Sequence, residues 1–343
     1  MQNNVTINTI AEMAGISKTT VSFYLNGKFE KMSAATRKRI EQAIEATNFH
    51  PNLAARSLNR SRTKLVGVIL GDLTNNFSNE IVKGIETIAL PEKYQIVYGN
   101  SGYDPAVEEQ YIGQMLNMGV DGFILQPTRR LASSEKRLDT LGAPIVLFDS
   151  EVPLPTACRV KTGTDSATRQ AAEACLDMGY EDFLMITADP DVLSTRRERT
   201  ESFLAALDKH GRRCKTKVIG PRTHPEELTG YLEENIRLNR RTLIFVPTCW
   251  ALSTVYLSLK KYRPLIPQNI GLMGFDNTEW TRLAAPSITT IVQPVLEEGR
   301  QAMRLLIDLL EGCEKAPVSR VLDCTVNWCE STAPGPNQPK TGA

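Results

Sequence analysis

The chain has 343 residues, more than one small core needs, which points to two or three compact units. Its hydrophobic fraction of 41% is ordinary, and no apolar run approaches the roughly 18 residues of a membrane span. Met1–Asn8 lacks the basic-then-apolar pattern of a secretory signal, so the chain is expected in the cytoplasm. The net charge of +1 conceals a division: residues 1–64 carry ten Lys/Arg against four acids, a net of +6, and the remainder carries a net of −5. A basic head on an acidic body is the electrostatic footprint of a polyanion-binding module joined to something else.

In chain order, Ile7, Ile10, Ala11 and Ala14 fall at helical spacing and give a first short helix one small apolar face. Gly15 can take the left-handed conformation that ends it. Ile16 plugs the turn, and Ser17 is a good N-cap for a second helix. Val21 and Leu25, with Thr20 and Tyr24 beside them, form that helix's inward stripe, leaving Lys18, Thr19, Ser22 and Phe23 outward near its start. This is a helix-turn-helix pattern, whose second helix offers its first side chains to the DNA major groove. A third helix fits Ser33 to Thr47, with Ile40 and Ile44 inward and Arg37, Lys38 and Arg39 clustered.

The stretches TINTIAEMAGISKTTVSFYLNG and MSAATRKRIEQAIEATNFHPNLAARSL resemble the LacI/GalR family of bacterial transcription regulators. Within it, the look of the head is nearest to regulators of 2-keto-3-deoxygluconate use. The resemblance implies DNA contacts from Thr6, Ser17, Lys18, Thr19, Ser22, Phe23 and Asn26. It also makes Asn52–Leu58 a hinge helix that orders on operator DNA in the minor groove, with Asn52, Ala55 and Arg56 among the DNA-binding residues and Leu58 wedged into a base step. Leu58 can equally be a linker leucine resting on the body. Where many members have Arg, this chain has Phe23, which can touch a thymine methyl but cannot fork a guanine.

After Lys64 the texture changes. Short apolar runs at Leu65–Leu70, Tyr94–Asn100, Val120–Pro127, Ala143–Asp149, Asp182–Ala188, Arg241–Pro247 and Ile270–Asp276 alternate with amphipathic segments of helical length. This repetition predicts parallel, doubly wound α/β sheets covered on both faces, in two lobes, with ligands beyond the C-terminal strand ends. The resemblance implies a two-lobed fold like that of periplasmic binding proteins, with chain crossings near Gly163 and Gln293. The divisions expected are a head over residues 1–50, hinge and linker over 51–63, an effector-binding and dimerising body over 64–330, and a disordered Pro/Gly-rich tail over 331–343. The tail has no leucine heptads, so a dimer is expected rather than a tetramer.

Carried over by motif, the implied effector residues are Asn75 and Phe77 in DLTNNF, Thr195 and Arg199 in STRRERTESFLAAL, and Asp276 in GFDNTEW; Gln126, Arg129, Asp149 and Arg222 are candidates because they end or follow strands, and Trp250 because its ring can stack on a sugar. The family commonly shows Asn-Asp where this chain has Thr248-Cys249. Several of these have plainer alternatives: a strand-end Asp can cap the next helix, Trp250 can be core, and Arg199 on a helix can be solvated. Arg199 is the arginine expected to fork a carboxylate, with Asp149 and Asp276 holding hydroxyls.

The seven cysteines, Cys158, Cys175, Cys214, Cys249, Cys313, Cys324 and Cys329, show no CxxC or Cys/His metal spacing and read as reduced, mostly buried thiols. His50, His210 and His224 are isolated, and GxSxG, HExxH, GxxxxGK[ST] and GxGxxG do not occur. No enzyme, cofactor or metal is expected. The expected function is a dimeric repressor that binds palindromic double-stranded DNA and responds to a sugar or sugar-acid effector such as a 2-keto-aldonate. The competing expectation, a transport-type sugar-binding protein, has no use for residues 1–60.

Overall fold

The structure is a computed structural model and describes residues 5–25, 27–49, 62–128, 131, 142–276 and 279–332. The chain forms two compact units, residues 1–63 and 64–343.

The first unit is a three-helix head. Helix α1 (Ile7–Ala14) starts at a reciprocal cap between Thr6 and Thr9, and ends at Gly15, whose φ of +62° is the left-handed conformation. Ser17 Oγ accepts from Thr20 N at 3.1 Å and opens α2 (Lys18–Leu25) one turn later. Ser33 caps α3 (Ala34–Thr47) in the same way, at 3.2 Å from Thr36 N. The small faces of the three helices close on Ile10, Ala11, Ala14, Val21, Ile40, Ala43 and Phe49. A core of this size suits a unit that needs only one polar helix face free.

The second unit holds two six-stranded sheets. In the first lobe the strands are β1 (Leu65–Leu70), β2 (Gln95–Asn100), β3 (Gly122–Leu125), β4 (Ile145–Phe148), β5 (Cys158–Thr162) and β11 (Ser319–Leu322), ordered β11-β5-β4-β3-β1-β2 and all parallel. In the second they are β6 (Asp182–Thr187), β7 (Cys214–Val218), β8 (Thr242–Val246), β9 (Ile270–Phe275), β10 (Thr289–Val292) and β12 (Thr325–Asn327), ordered β12-β10-β9-β8-β6-β7. Only β12 runs antiparallel, against β10. The central strands β1, β4, β8 and β9 are buried nearly throughout, as parallel strands covered on both faces must be. The covering helices are α4 (Asn76–Ala89), α5 (Pro105–Asn117) and α11 (Val295–Glu311) in the first lobe. In the second they are α6 (Thr164–Asp177), α7 (Ser194–Lys209), α8 (Pro225–Asn235) and α9 (Cys249–Ser258), with the short α10 (Glu279–Leu283).

The chain crosses between lobes three times: at Gly163 after β5, at Gln293-Pro294 between β10 and α11, and at Asp323-Cys324 between β11 and β12. Two of these lie where the sequence pointed. In the first lobe α4 and α11 pack backbone to backbone. A β-carbon on Gly84 would collide with the Leu296 carbonyl, and one on Gly299 with the Ile81 carbonyl. Glycine is required there for close approach. The approach lets Ile81, Ile85, Ala302, Met303 and Leu306 share one core with Val66, Val146 and Phe148. Each fully buried Leu- or Ile-sized side chain contributes about 1.5–3 kcal/mol.

Two expectations are corrected here. Ser331 and Thr332 are not tail but core of the second lobe. Ser331 Oγ accepts from Thr289 N at 2.8 Å, and Thr332 is fully buried and bonded to Thr289 Oγ1. The cysteines are unpaired, but only Cys158 and Cys175 are buried; Cys313 is exposed and the other four are half-buried.

Candidate functional site

In the head, the first turn of α2 presents Ser17, Lys18 and Thr19 to solvent, and Thr6 is exposed at the start of α1. Ser22 and Phe23 follow on the same helix, half-buried. The Lys31 ammonium sits 4.8 Å above the Phe23 ring, so a cation lies beside the aromatic at this position. Arg37 is committed elsewhere, to Glu41 at 2.9 Å and to the Phe29 ring at 4.2 Å. Asn26, Asn52, Ala55, Arg56 and Leu58 lie outside the described residues, as does Arg129 of the body.

In the body, the C-terminal strand ends of the two lobes face one cleft. Asn75, Phe77, Gln126 and Asp149 line it from the first lobe, and Thr195, Arg199, Trp250 and Asp276 from the second. Eight of the ten expected effector residues are thus brought together. Arg222 is not: it follows the edge strand β7, is exposed and lies away from the cleft. A residue after an edge strand cannot reach a site built over the central strands. Trp250 serves both readings, lining the cleft while packing on the core that holds Leu252 and Val255.

Asp149 and Asp276 occupy equivalent places, just after β4 and β9, and both take left-handed backbone with φ of +57° and +67°. That turn aims each carboxylate back over its sheet. Asp149 Oδ2 accepts from Gln126 Nε2 at 2.8 Å and from Thr195 Oγ1 at 3.5 Å. Asp276 Oδ1 accepts from Gln293 Nε2 at 2.7 Å. Arg199 is buried between them, its guanidinium 3.9 Å over the Phe275 ring. It donates to Pro247 O at 3.0 Å and to Gln293 Oε1 at 2.9 Å, and lies 4.0 Å from Asp149 Oδ1. Each terminal nitrogen thus has one protein partner, while among the described residues Nε meets none.

The residue that sequence reasoning passed over is Gln293. It stands on the second crossing, accepts from Thr162 Oγ1 of the first crossing at 2.7 Å, and has Cys324 of the third near it through Thr162. The Gln-Pro break marked a crossing in the sequence, but an amide gives no sign of being a hub. Glu298 was also passed over. It is fully buried on α11, and its Oε1 accepts from Asp149 N at 2.8 Å. Among the described residues its Oε2 meets no partner. Burial first, then the neighbouring Asp149, holds its proton well above the ordinary carboxylate range. Burial also raises Asp276, against the opposing pull of Arg199 and Gln293. Cys249 donates to Asn75 Oδ1 at 3.3 Å, and burial pushes its thiol up to about 12. The position carries a neutral group where the family commonly has a carboxylate. The inner cleft has room for 40 Å³, and the adjoining opening by Asn76, Glu80, Gln293 and Arg300 for 450 Å³.

Comparison with known proteins decides what this combination belongs to. Residues 6–52 match the model of bacterial regulatory proteins of the lacI family. Residues 63–229 match that of periplasmic binding proteins and the sugar-binding domain of the LacI family, and residues 172–332 a periplasmic binding protein-like domain. The probable transcriptional regulator EndR of Paenibacillus polymyxa is 30% identical over 90% of this chain and 92% of its own. The chain belongs to the LacI family of bacterial transcription regulators. Among its relatives in that family is the regulator KdgR of Bacillus subtilis (strain 168), 29% identical over 94% of this chain and 96% of its own. The lac repressor dimer bound to operator and the anti-inducer ONPF shares the fold, with a TM-score of 0.83 at 20% identity over 96% of this chain and 99% of that one. As a LacI-family regulator, the protein joins a DNA-reading head to a ligand-sensing body.

Proposed function

We propose that the protein is a dimeric repressor of carbohydrate or sugar-acid utilisation genes, and that a sugar acid of the 2-keto-aldonate kind changes its operator affinity. The observation that carries the sensing role is the buried chain Asp149–Arg199–Gln293–Asp276. It joins both lobes' strand-end carboxylates to the crossings between the lobes. A ligand that engages these side chains acts on the parts about which the lobes turn. An acid is favoured over a neutral sugar because the cleft gathers Arg196 and Arg199, while burial keeps Asp276, Glu298 and Cys249 toward their neutral forms.

On DNA, two heads read adjacent major grooves from Ser17, Lys18, Thr19, Ser22 and Phe23. The hinge segment follows the minor groove between them through Asn52, Ala55 and Arg56, with Leu58 as the wedge. The proposal places the protein in the cytoplasm and gives it no catalytic step. Coupling is reciprocal: a ligand alters DNA affinity only as far as DNA alters ligand affinity.

Two experiments test this. Gel shifts on genomic fragments at several salt concentrations should show binding that weakens steeply with salt, as Lys/Arg contacts release counterions. A thermal-shift panel of sugars and sugar acids should single out acids. Salt-insensitive DNA binding, or stabilisation by neutral sugars alone, would contradict the corresponding half.

A further inference from the structure

The cleft contains a second arginine whose position nothing in the DNA-binding account uses. Arg196 lies in the first turn of α7, one residue after Thr195, and is half-buried at the cleft wall. Its guanidinium carbon stands 5.0 Å from the centre of the Tyr103 ring, which belongs to the opposite lobe. Among the described residues Arg196 makes one long hydrogen bond, 3.5 Å to Asp189 O, and no ion pair. Arg199, three residues on, is buried, with one terminal nitrogen on Pro247 O and the other on Gln293 Oε1.

Tyr103 is a built platform. Its backbone takes φ of +61°, and its ring lies on Gly71, where a β-carbon would collide with it. Burial pushes its hydroxyl up to about 12, so it faces Arg196 as a neutral aromatic. A ring fixed in one lobe thus holds a cation from the other over the cleft, by a contact that orients the guanidinium plane but leaves its edge donors open. Those donors match a carboxylate in two parallel N–H···O bonds.

We infer that Arg196, held over Tyr103, is the residue that takes the effector's carboxylate and so discriminates sugar acids from their neutral parents. Arg199 orders the cleft and carries its coupling to the crossings. The ligand class is a monoanionic aldonate or 2-keto-aldonate. Its acid end meets Arg196, and its hydroxyls meet Asp149, Thr195 and Asp276. The assignment rests on the sugar-acid reading proposed above and sharpens it to one side chain.

Titration calorimetry of the full chain with gluconate, its 2-keto derivative and glucose tests the assignment, using wild type, Arg196→Met and Arg196→Lys. The wild type is expected to bind at least one acid. Arg196→Met should weaken that binding about tenfold or more, the scale of a lost charge-assisted hydrogen bond. Arg196→Lys should recover part of it, because a point charge remains without the fork. Glucose affinity and melting temperature should stay where they are. An acid bound by the wild type and equally well by Arg196→Met would overturn the assignment and leave the sugar-acid reading standing. Equal loss of acid and glucose would also overturn it, by showing a general structural role. A wild type that binds neither acid would overturn both.

Discussion

Replacing Gln293 by leucine keeps the volume and removes three hydrogen bonds at once. The lost partners are Thr162 at 2.7 Å, Arg199 at 2.9 Å and Asp276 at 2.7 Å. A neutral bond contributes about 1 kcal/mol and a bond to a charged group about 1.5–3 kcal/mol, so the loss comes to about 4–7 kcal/mol before relaxation and about 3–5 kcal/mol after it. In a body of this size that lowers the melting temperature by about 10 °C. The effect should also depend on pH. Asp276 titrates above its unfolded value in the native protein, so the native state holds more protons than the unfolded one, and stability falls as pH rises from the unfolded pKa through the raised native one. Gln293 opposes that rise by donating to the carboxylate. Without it the window extends upward, and Gln293→Leu should be more damaging at about pH 8 than at about pH 5. Thermal and urea unfolding followed by circular dichroism at both pH values would show this. A melting temperature within about 2 °C of wild type, or a defect equal at both pH values, would refute the reasoning.

Gly299→Ala should force α4 and α11 apart, since its β-carbon meets the Ile81 carbonyl. A loss of about 1–3 kcal/mol in urea midpoint analysis is expected, with DNA binding by the folded fraction intact. Glu108 is fully buried, accepts from Thr128 N at 3.1 Å, and is pushed by burial up to about 7. Because that pKa lies above the unfolded value, wild-type stability should decline as pH rises from about 4.5 to about 7. Glu108→Gln should flatten the decline, worth up to about 3 kcal/mol, in pH-resolved denaturation. Leu58→Ala should weaken specific operator binding by a few kcal/mol, roughly the cost of unstacking a base step, and abolish the DNA bend seen by circular permutation gel assays.

Much of the architecture was legible because its signals are local. Helix ends were written in Gly15, Ser17 and Ser33, and seven strands in apolar runs, of which the structure keeps Leu65–Leu70 whole and trims the others by a residue or two at one or both ends. Five strands escaped reading. β5 alternates charged and buried residues in CRVKT, β7 is largely exposed, β11 and β12 are short and half-covered, and β10, though buried, is only the four residues TTIV with two threonines in it. A strand that does not bury both faces has no need of a continuous apolar run. In the cleft, residues inside motifs were found, including Asp149, Thr195, Arg199 and Asp276. Arg222 was misplaced, because sequence cannot distinguish an edge strand from a central one. Gln293 and Glu298 were missed because their roles arise from contacts across more than ninety residues of chain with Arg199 and Asp149. Arg196 was hidden in a run of arginines, and only the ring of Tyr103 and the protein partners of Arg199's two terminal nitrogens set it apart.

The central claim is that one ligand site and one DNA site share an energetic link through the lobes. Its most direct test is calorimetry of a sugar acid with the full chain, alone and saturated with a bound genomic fragment, beside anisotropy of that fragment with and without the acid. The account expects the acid's affinity to change on DNA by about 5–150-fold, and the DNA affinity to change by the same factor in the same direction. Acid affinity that is identical with and without DNA, for an acid that demonstrably binds, would contradict it.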